Sequence, residues 1–294
     1  TAAAAAAGGG ATRRIVGASV LGALLSLTVA AGFAGFFGAR RRGAAATDAG
    51  NARMLFLRSL HGLSKVPPLA QGLEAVAINL ARRPDRWENV SRSLGEQAPW
   101  LPLERIDAVD GLAAPPPLEE VTAKWSTGVL AELFPRWYKN VTLNMSAGER
   151  GCCASHIKVW RVAANGTRPL LVLEDDAVAL PAFSNSLLQA LEEAPRDTGM
   201  IFLSDKDRGT PKAVGKVLLE PNFVWTTVGY VIWPETAKTL LRMLPLDMPV
   251  DNFLGWCIRQ GKFNAFSIRP SAVRQANTWN VLSDVPHSDD VAHA

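Results

Sequence analysis

The sequence predicts an α/β domain with a mainly parallel sheet that is covered by helices on both faces. Short apolar runs of strand length alternate along the chain with segments whose apolar residues recur at helical spacing. Strands that alternate with helices in this way usually form parallel pairs joined by helical crossovers. A charge-free stretch near the start of the chain predicts one more helix, a transmembrane helix outside this domain.

Composition and charge fit a single folded domain. The chain has 294 residues and a formal net charge of +4, which is long enough for one substantial core. Much of the positive charge flanks the charge-free stretch, in Arg13, Arg14, Arg40, Arg41 and Arg42. The remainder carries no basic signature of nucleic-acid binding, so we expect no nucleic-acid partner.

The N-terminal segment is expected to anchor the protein in a membrane. Ile15 to Gly38 has no charged residue and is long enough, at about 1.5 Å per residue, to cross a hydrocarbon core of roughly 30 Å. Its Ala and Gly content, and the lack of acidic residues before Asp48, leave a transit peptide or a cleaved signal open. We therefore assign 1–42 to a tail and anchor, 43–72 to a stem and 73–294 to the folded domain.

Sequons and cysteines bear on the cellular compartment. Asn89, Asn140, Asn144 and Asn165 each begin an N-x-[ST] sequon, which favours the lumen of the Golgi or endoplasmic reticulum. The three cysteines have no metal-ligand spacing among themselves, which argues against a structural zinc site. Both a disulfide from Cys257 to Cys152 or Cys153 and three buried free thiols stay open.

The first predicted elements place polar residues at the ends of two strands. A buried strand is expected from Leu73 to Leu80, and Arg82 to Arg86 then lead into an amphipathic helix. A second strand from Leu103 to Val109 ends at Asp110-Gly111. Pro116 to Tyr138 is expected to be a variable insertion.

A helix and a strand are predicted on either side of Gly166. Ser146 and Glu149 form a capping box for a helix that runs to about Ala164. Pro169 to Leu173 then predicts a buried strand. The remaining predicted strands are Met200 to Leu203, Val217 to Leu219 and Val224 to Trp233, and the remaining helices are Glu235 to Leu244 and Asn252 to Gln260.

Three consecutive carboxylates, Glu174, Asp175 and Asp176, follow the strand that ends at Leu173. Ligands of open α/β sheets bind beyond the carboxyl ends of the strands. Adjacent carboxylates repel one another unless a cation lies among them, and their hard oxygens suit Mn²⁺ or Mg²⁺ together with substrate phosphates. The triplet therefore predicts a site for a metal and a diphosphate, with a solvated acidic turn as the alternative.

Several ordered motifs give the chain a resemblance to glycosyltransferase family 25, which includes lipooligosaccharide and procollagen galactosyltransferases. The motifs are Ile78 to Trp87, Ala108 to Gly111, Gly148 to Cys152 with Ser155, His156 and Trp160, Leu171 to Asp176, Gly229-Tyr230, and Pro249 to Leu254. The resemblance implies a Rossmann-like GT-A fold, a UDP-hexose donor and a divalent metal. It also implies transfer of galactose, or sometimes glucose, to a hydroxyl of a glycan or glycoprotein acceptor.

The resemblance implies that the acidic triplet is the counterpart of the family's D-x-D metal motif, with Glu174 in its first position. Alternate residues at a strand end face the same way. We therefore assign Asp176 to the metal, and Glu174 to the metal through its water shell or to the donor ribose. Asp175 is expected to point into the protein.

Residues of the first two strands and of the family motifs are candidates for donor binding. Asn79, Arg82 and Arg83 follow the first strand, with Arg86 farther away, and solvated surface arginines are the alternative. Asp110 is a candidate for uracil or ribose, or for a simple turn. His156 is predicted to act in the site, and a purely structural, hydrogen-bonded histidine is the alternative. Tyr230 is predicted to line the sugar pocket, and ordinary packing of a strand residue is the alternative.

Asp251 is the predicted general base of an inverting transfer, because the acceptor hydroxyl must lose a proton as its oxygen attacks the anomeric carbon. The alternative is that Asp251 caps the following helix. Asp205 and Asp207 are reserve candidates for the base, and His287 is a candidate for a late metal ligand.

Two other classes of function stay open. Metal-dependent phosphohydrolases also place carboxylates after a buried strand, but their common site begins with a nucleophilic aspartate where this chain has Glu174. A catalytically silent binding protein on the same scaffold is the other class. The intact acidic triplet and Asp251 favour the enzyme over the silent protein.

Overall fold

The computed structural model describes residues 70–276. The expected anchor from Ile15 to Gly38, most of the stem, and His287 lie outside the described residues. Within 70–276, no helix has both the length and the apolar character that a membrane span requires.

The described part alternates strands and helices. In chain order the elements are β1 (Glu74–Asn79), α1 (Pro84–Gln97), β2 (Leu103–Asp107), β3 (Lys124–Ser126), α2 (Gly128–Leu133), β4 (Thr142–Asn144), α3 (Ala147–Asn165), β5 (Leu170–Glu174), β6 (Ala177–Ala179), α4 (Phe183–Glu193), β7 (Thr198–Phe202), β8 (Lys212–Ala213), β9 (Leu218–Glu220), β10 (Gly229–Ile232), α5 (Pro234–Leu241), α6 (Val250–Arg259), β11 (Asn264–Ile268) and β12 (Val273–Gln275).

A sheet of eight strands in the order β2-β1-β5-β10-β7-β11-β9-β8 forms the centre of the domain. The pairs β1 with β2, β1 with β5, and β7 with β11 are parallel. Strands β10 and β9 run antiparallel to both of their neighbours. The other six strands therefore share one direction, which confirms a mostly parallel sheet but adds two reversed strands that were not predicted.

Side chains that alternate along the strands supply two separate cores. In β5, Leu170 and Val172 pack in the cluster that includes residues of α3, α5 and α6. Leu171 and Leu173 pack in the other cluster, which includes residues of α1 and α4. Because successive side chains of a strand point to opposite faces, one apolar run is covered by helices on both sides, as predicted.

The capping box of α3 is present as predicted. The Ser146 hydroxyl accepts a hydrogen bond from the Glu149 amide, and the Glu149 carboxylate accepts one from the Ser146 amide. These reciprocal bonds satisfy two amides that a helix start otherwise leaves unpaired. The first turns of α3 are thereby fixed beside the end of β5.

Two predicted elements have clearly different bounds in the structure, and one helix was not predicted. Helix α6 begins at Val250, two residues before the predicted start, and the strand predicted from Val224 to Trp233 is reduced to β10. Helix α4 was not predicted, although Phe183, Leu187 and Leu191 recur at helical spacing and are buried. The residues before β10 are thereby left in a loop that reaches the candidate site.

Candidate active site

A cleft with a cavity volume of about 280 Å³ lies beyond the carboxyl ends of β1, β2 and β5. This is the edge at which ligands of open α/β sheets bind. The start of α3, the loop before β10 and the start of α6 form its remaining walls. Its polar lining includes Arg82, Arg86, Asp110, Glu149, Cys152, Ser155, His156, Glu174, Asp175, Asp176, Lys206, Thr226, Thr227, Asp251 and Gln275.

Two glycines allow the loop after β2 to pack directly on α3. A Cβ atom on Gly111 would lie 1.9 Å from the carbonyl oxygen of Ala147, and one on Gly151 would lie 2.7 Å from that of Val109. Neither distance is compatible with a side chain at these positions. The close approach brings Asp110 to the wall of the cleft, beside the residues of α3.

Glu174 is held at the end of β5 by two hydrogen bonds to one of its oxygens. Its Oε1 accepts a bond of 2.6 Å from the Thr227 hydroxyl and lies 3.3 Å from Nε2 of His156. Burial acts to raise the pKa of Glu174, but the bonds from His156 and Thr227 outweigh it, so the pKa is lowered. Glu174 is therefore an ionised carboxylate at neutral pH.

Asp176 is only partly satisfied by the protein. Its Oδ2 accepts a hydrogen bond of 2.9 Å from the Gln275 amide, whereas its Oδ1 is buried and has no hydrogen-bond partner among residues 70–276. Burial, and then the charge of Glu174, raise the pKa of Asp176 to about 7. A divalent cation beside Glu174 and Asp176 would remove this repulsion and supply the missing partner of Oδ1, so the oxygen donors present fit such an ion.

Asp175 points into the protein, as predicted. It accepts hydrogen bonds of 2.8 Å from Nδ2 of Asn79 and 3.0 Å from Nη1 of Arg86. Burial raises the pKa of Asp175, while Arg86 and Asn79 oppose that rise. Asn79 is completely buried, so it orients Asp175. It does not reach the cleft, where it was predicted to contact the sugar nucleotide.

A buried chain of hydrogen bonds fixes the ring of His156. The indole N–H of Trp160, which can only donate, lies 3.2 Å from the Tyr230 hydroxyl, and that hydroxyl lies 2.8 Å from Nδ1 of His156. If Tyr230 donates to Nδ1, the Nε2–H of His156 faces Glu174 and each donor has a partner. Tyr230 is fully buried. It therefore orients His156 and does not line a sugar pocket, contrary to the prediction.

The arginines after β1 have different partners. Nε of Arg82 donates to Oδ2 of Asp110 at 2.9 Å, and both side chains line the cleft, so that their binding of the sugar nucleotide stays a prediction. The hydrogen bond from Arg82 also lowers the pKa of Asp110. Arg83 forms an ion pair with Asp85 at 2.8 Å and is not among the cleft-lining residues, so the prediction that it contacts the donor is not supported by its position.

Asp251 lines the cleft from the first turn of α6. Its Oδ1 accepts a hydrogen bond of 2.8 Å from the amide of Asn252, and the helix N-terminus favours its negative charge. Pro249 occupies the N-cap position and there is no side-chain cap bond. Asp251 is therefore not the helix cap, which was the structural alternative to the role of base.

The reserve candidates for the base lie outside the cleft lining. Asp205 accepts hydrogen bonds from the Ser271 hydroxyl at 2.6 Å and from Nε of Arg269 at 3.2 Å. Asp207 accepts bonds from two consecutive backbone amides, at residues 222 and 223. Both carboxylates thus hold loops together at the end of β7.

Cys152, Thr227 and Gln275 are residues that the sequence reasoning missed. Thr227 and Gln275 come from distant loops and carry no local motif. Cys152, by contrast, lies one helical turn before His156, and its Sγ, a ring nitrogen of His156 and a Glu174 oxygen all lie within 4.8 Å of one another. Burial and the charge of Glu174 raise the pKa of its thiol. All three cysteines are free thiols, so neither disulfide is formed.

Comparisons with known proteins agree with the resemblance. Residues 74–210 match the family model of glycosyltransferase family 25 (LPS biosynthesis protein). A glycosyltransferase 25 family member of Aedes aegypti is 31% identical over 205 residues, 66% of this chain and 32% of that protein. Procollagen galactosyltransferase 1 of Danio rerio is 32% identical over 193 residues, covering 62% and 30% of the two chains. Inactive glycosyltransferase 25 family member 3 of Homo sapiens is 31% identical over 194 residues, covering 62% and 31%.

The chain spans about a third of the length of these curated relatives. It is similar to members of glycosyltransferase family 25, as its motifs predicted. The match to the family model contains β1 and the acidic triplet, while Asp251 and Gln275 lie after it.

Proposed function

We propose that this protein is a metal-dependent glycosyltransferase of GT-A type that moves a hexose from a UDP-sugar to a hydroxyl of a glycan or glycoprotein. The observation that carries the proposal is the pair of carboxylates at the end of β5, where Glu174 and Asp176 face a cleft and one buried oxygen of Asp176 has no protein partner among the described residues. Galactose is the first sugar to test, because similar proteins carry the name procollagen galactosyltransferase.

Glu174 and Asp176 are the residues that would hold the cation. Their oxygens are hard ligands, and Mn²⁺ or Mg²⁺ typically binds one or two carboxylates and completes its coordination with phosphate oxygens and water. When bound, the cation would neutralise charge that develops on the departing diphosphate. Thr227 and Gln275 orient the two carboxylates, and the Asp175, Asn79 and Arg86 cluster fixes the backbone between them.

The nucleotide of the donor is assigned to the wall formed by the loops after β1 and β2. Arg82 and Asp110 lie there, and the side chain of Arg82 is 43% exposed. The guanidinium suits an anionic oxygen, and the Asp110 carboxylate suits a ribose hydroxyl or a uracil N–H. His156 is assigned an indirect role, because it positions Glu174 through a hydrogen bond.

Asp251 is assigned to the proton transfer. The acceptor oxygen attacks the anomeric carbon and forms the new glycosidic bond while Asp251 takes the hydroxyl proton. The bond from that carbon to the diphosphate oxygen breaks, and its electron pair leaves with UDP. Attack opposite the leaving group inverts the anomeric configuration, and a positioned base contributes about 10² to 10⁴-fold to such a step.

A catalytically silent protein is the second candidate function. A human relative named as inactive is 31% identical to this chain, which is as similar as a relative named as a galactosyltransferase. Overall similarity therefore does not separate an active from an inactive protein, and only the site and an assay can do so.

The test is a transfer assay with purified protein. UDP-galactose and UDP-glucose are each supplied with Mn²⁺ and with hydroxyl acceptors, including glycans and hydroxylysine peptides, and both released UDP and labelled acceptor are measured. The proposal expects acceptor-dependent UDP release that stops in excess chelator. Binding of the UDP-sugar without turnover for any acceptor would favour the catalytically silent protein. Transfer that persists in excess chelator would show that the reaction does not depend on a metal.

We also propose that the domain works in the lumen of the secretory pathway, attached to the membrane through Ile15 to Gly38. Asn140, Asn144 and Asn165 are exposed sequon residues in the structure. Some of them should therefore carry glycans, seen as a mass shift after glycosidase treatment. A glycan-free protein located in an organelle such as a plastid would support the transit peptide instead.

A further inference from the structure

The cleft contains a second set of metal-ligating atoms that is chemically different from the carboxylate pair. Cys152 and His156 lie one turn apart on α3, whose start is fixed by its capping box, and both face the end of β5. The Cys152 Sγ, a His156 ring nitrogen and a Glu174 oxygen lie within 4.8 Å of one another. These three atoms need only small movements to surround a single ion, because ligand distances to Zn²⁺ are about 2.0 to 2.3 Å.

We propose that Cys152, His156 and Glu174 form a site for a thiophilic divalent cation such as Zn²⁺, and that this ion competes with the hard cation of the same cleft for Glu174. Sulfur, imidazole nitrogen and carboxylate oxygen are the donors that Zn²⁺ uses in proteins. Three protein ligands leave a position open toward the cleft. The pair Glu174 and Asp176 offers oxygen only, so the two sets differ in the ions they prefer.

The surroundings of the three ligands already orient them. The Tyr230 hydroxyl lies 2.8 Å from Nδ1 of His156, which leaves Nε2 directed at Glu174, 3.3 Å away. A hydroxyl can donate or accept, so it can hold His156 with its proton on either ring nitrogen. A cation between Nε2 and Glu174 would replace their hydrogen bond while the proton moves to Nδ1. Thr227 keeps Glu174 in place, and such outer contacts typically strengthen metal binding.

The other two cysteines provide matched controls. Cys153 is adjacent in sequence but fully buried, and its Sγ lies 3.6 Å from the Met248 carbonyl oxygen on the core side of α3. Cys257 is also fully buried, on α6. Of the cysteines in the described part of the chain, Cys152 is the one that lines the cleft. A thiophilic ion in the cleft should therefore depend on Cys152 alone.

Occupation of the second site has a consequence for the proposed function, on which this step rests. An ion held by Cys152, His156 and Glu174 removes Glu174 from the oxygen site and places positive charge against the wall where Asp176 lies. Zn²⁺ should then inhibit transfer by competition with Mn²⁺. Binding itself does not depend on any transferase activity, so the two ideas fail separately.

Binding is tested with Co²⁺ as a visible substitute for Zn²⁺ on the purified, full-length protein under reducing conditions. Cobalt bound to a thiolate gives a sulfur-to-metal charge-transfer absorption in the near ultraviolet. Wild type and Cys153→Ser should show this absorption, Zn²⁺ should abolish it, and Cys152→Ser should lack it while keeping its thermal unfolding temperature. Its absence in wild type, or its persistence in Cys152→Ser, would overturn the proposal.

A second variant and an activity assay complete the test. His156→Asn should weaken Co²⁺ binding at least about tenfold, because a ligand is lost, and unchanged affinity would exclude the imidazole. In the transfer assay, the Zn²⁺ concentration that halves each variant's own activity should rise at least about tenfold in Cys152→Ser and stay constant in Cys153→Ser. Equal Zn²⁺ sensitivity in the two variants would contradict the competition.

Discussion

The acidic residues after β5 and those after β7 look alike in the sequence but have different surroundings in the structure. Each of the two acidic motifs follows a buried strand of the central sheet. The first motif is Glu174-Asp175-Asp176, and the second is Asp205-Lys206-Asp207, which has the sequence pattern D-x-D. Glu174 and Asp176 of the first motif line the cleft, whereas in the second motif Lys206 is the residue that does so.

The two motifs differ in what surrounds their oxygens. Asp205 and Asp207 accept hydrogen bonds on both of their oxygens, from side chains for Asp205 and from backbone amides for Asp207. Asp176 has a buried oxygen with no partner within residues 70–276. Burial acts to raise the pKa of Asp205, but Ser271 and Arg269 lower it, whereas the pKa of Asp176 is raised to about 7.

This difference teaches that the sequence pattern of an acidic motif does not by itself identify a cation site. A carboxylate whose oxygens are satisfied by the protein stabilises a loop, and one that is buried without partners is destabilising until a cation arrives. The oxygen of Asp176 that is unpartnered in the described part of the chain, at the end of β5, is thus the observation that supports the proposed cation site, and the following variants test it.

The largest contrast is expected between Asp176→Asn and Asp207→Asn. Removal of the Asp176 charge should lower turnover by about 10³-fold with little loss of stability, because the ligand of the cation is lost and packing is kept. Asp207→Asn should retain most turnover but lose about 1 kcal/mol of unfolding free energy, since one amide loses its acceptor. Transfer assays and urea unfolding measure both quantities, and equal turnover in the two variants would end the distinction.

Asp175 should behave as part of the scaffold although it lies between the two proposed cation ligands. Its partner Arg86 is buried, with only 9% of the side chain exposed. Asp175→Ala therefore leaves a buried charge without this partner and should cost about 3 kcal/mol of stability. Urea unfolding of Asp175→Ala measures this cost. A variant as stable as wild type would show that the contact with Arg86 contributes nothing.

Asp251→Asn tests the proposed base in the first turn of α6. The substitution keeps the size of the side chain, so donor affinity should survive while turnover falls about a hundredfold, as expected when proton transfer is lost. Donor binding by calorimetry and turnover by UDP release separate the two effects. Near-normal turnover would exclude Asp251 as the base, and a product that retains the donor's anomeric configuration would remove the need for one.

The subtlest contrast is the pH dependence of stability in chelator. The pKa of Asp176 rises from 3.8 to about 7 on folding, so the folded state holds this proton more tightly than the unfolded state. The contribution of protonated Asp176 to the free energy of unfolding is therefore fully present below about pH 4 and is lost as pH rises through about 7. Asp176→Asn should become more stable than wild type above pH 7, and addition of Mn²⁺ should close that gap. A difference that is independent of pH would contradict the raised pKa.

Much of the fold and the position of the cleft could be predicted from local signals. The apolar run from Leu170 to Leu173 predicted β5, and the Ser146 and Glu149 capping box predicted the start of α3. These signals are short-range, because strand burial and helix capping depend on neighbouring residues. The rule that ligands bind at strand carboxyl ends then placed the site.

The partners of the site residues could not be predicted in this way. Thr227 and Gln275 reach Glu174 and Asp176 across 53 and 99 residues of sequence, and only the tertiary fold brings them together. The wrong assignment of Tyr230 has the same origin, since its side chain points to the face of β10 that α3 covers. A strand pattern alone does not tell which face borders the cleft.

Direct measurement of Mn²⁺ binding in the presence of UDP tests the central claim, that Glu174 and Asp176 form a cation site and the D-x-D after β7 does not. Electron paramagnetic resonance of free Mn²⁺ can be followed during titration of wild type, Asp176→Asn and Asp207→Asn. We predict one tightly bound ion in wild type and Asp207→Asn, and binding weakened at least about a hundredfold in Asp176→Asn. Unchanged binding in Asp176→Asn, or its loss in Asp207→Asn, would contradict the account.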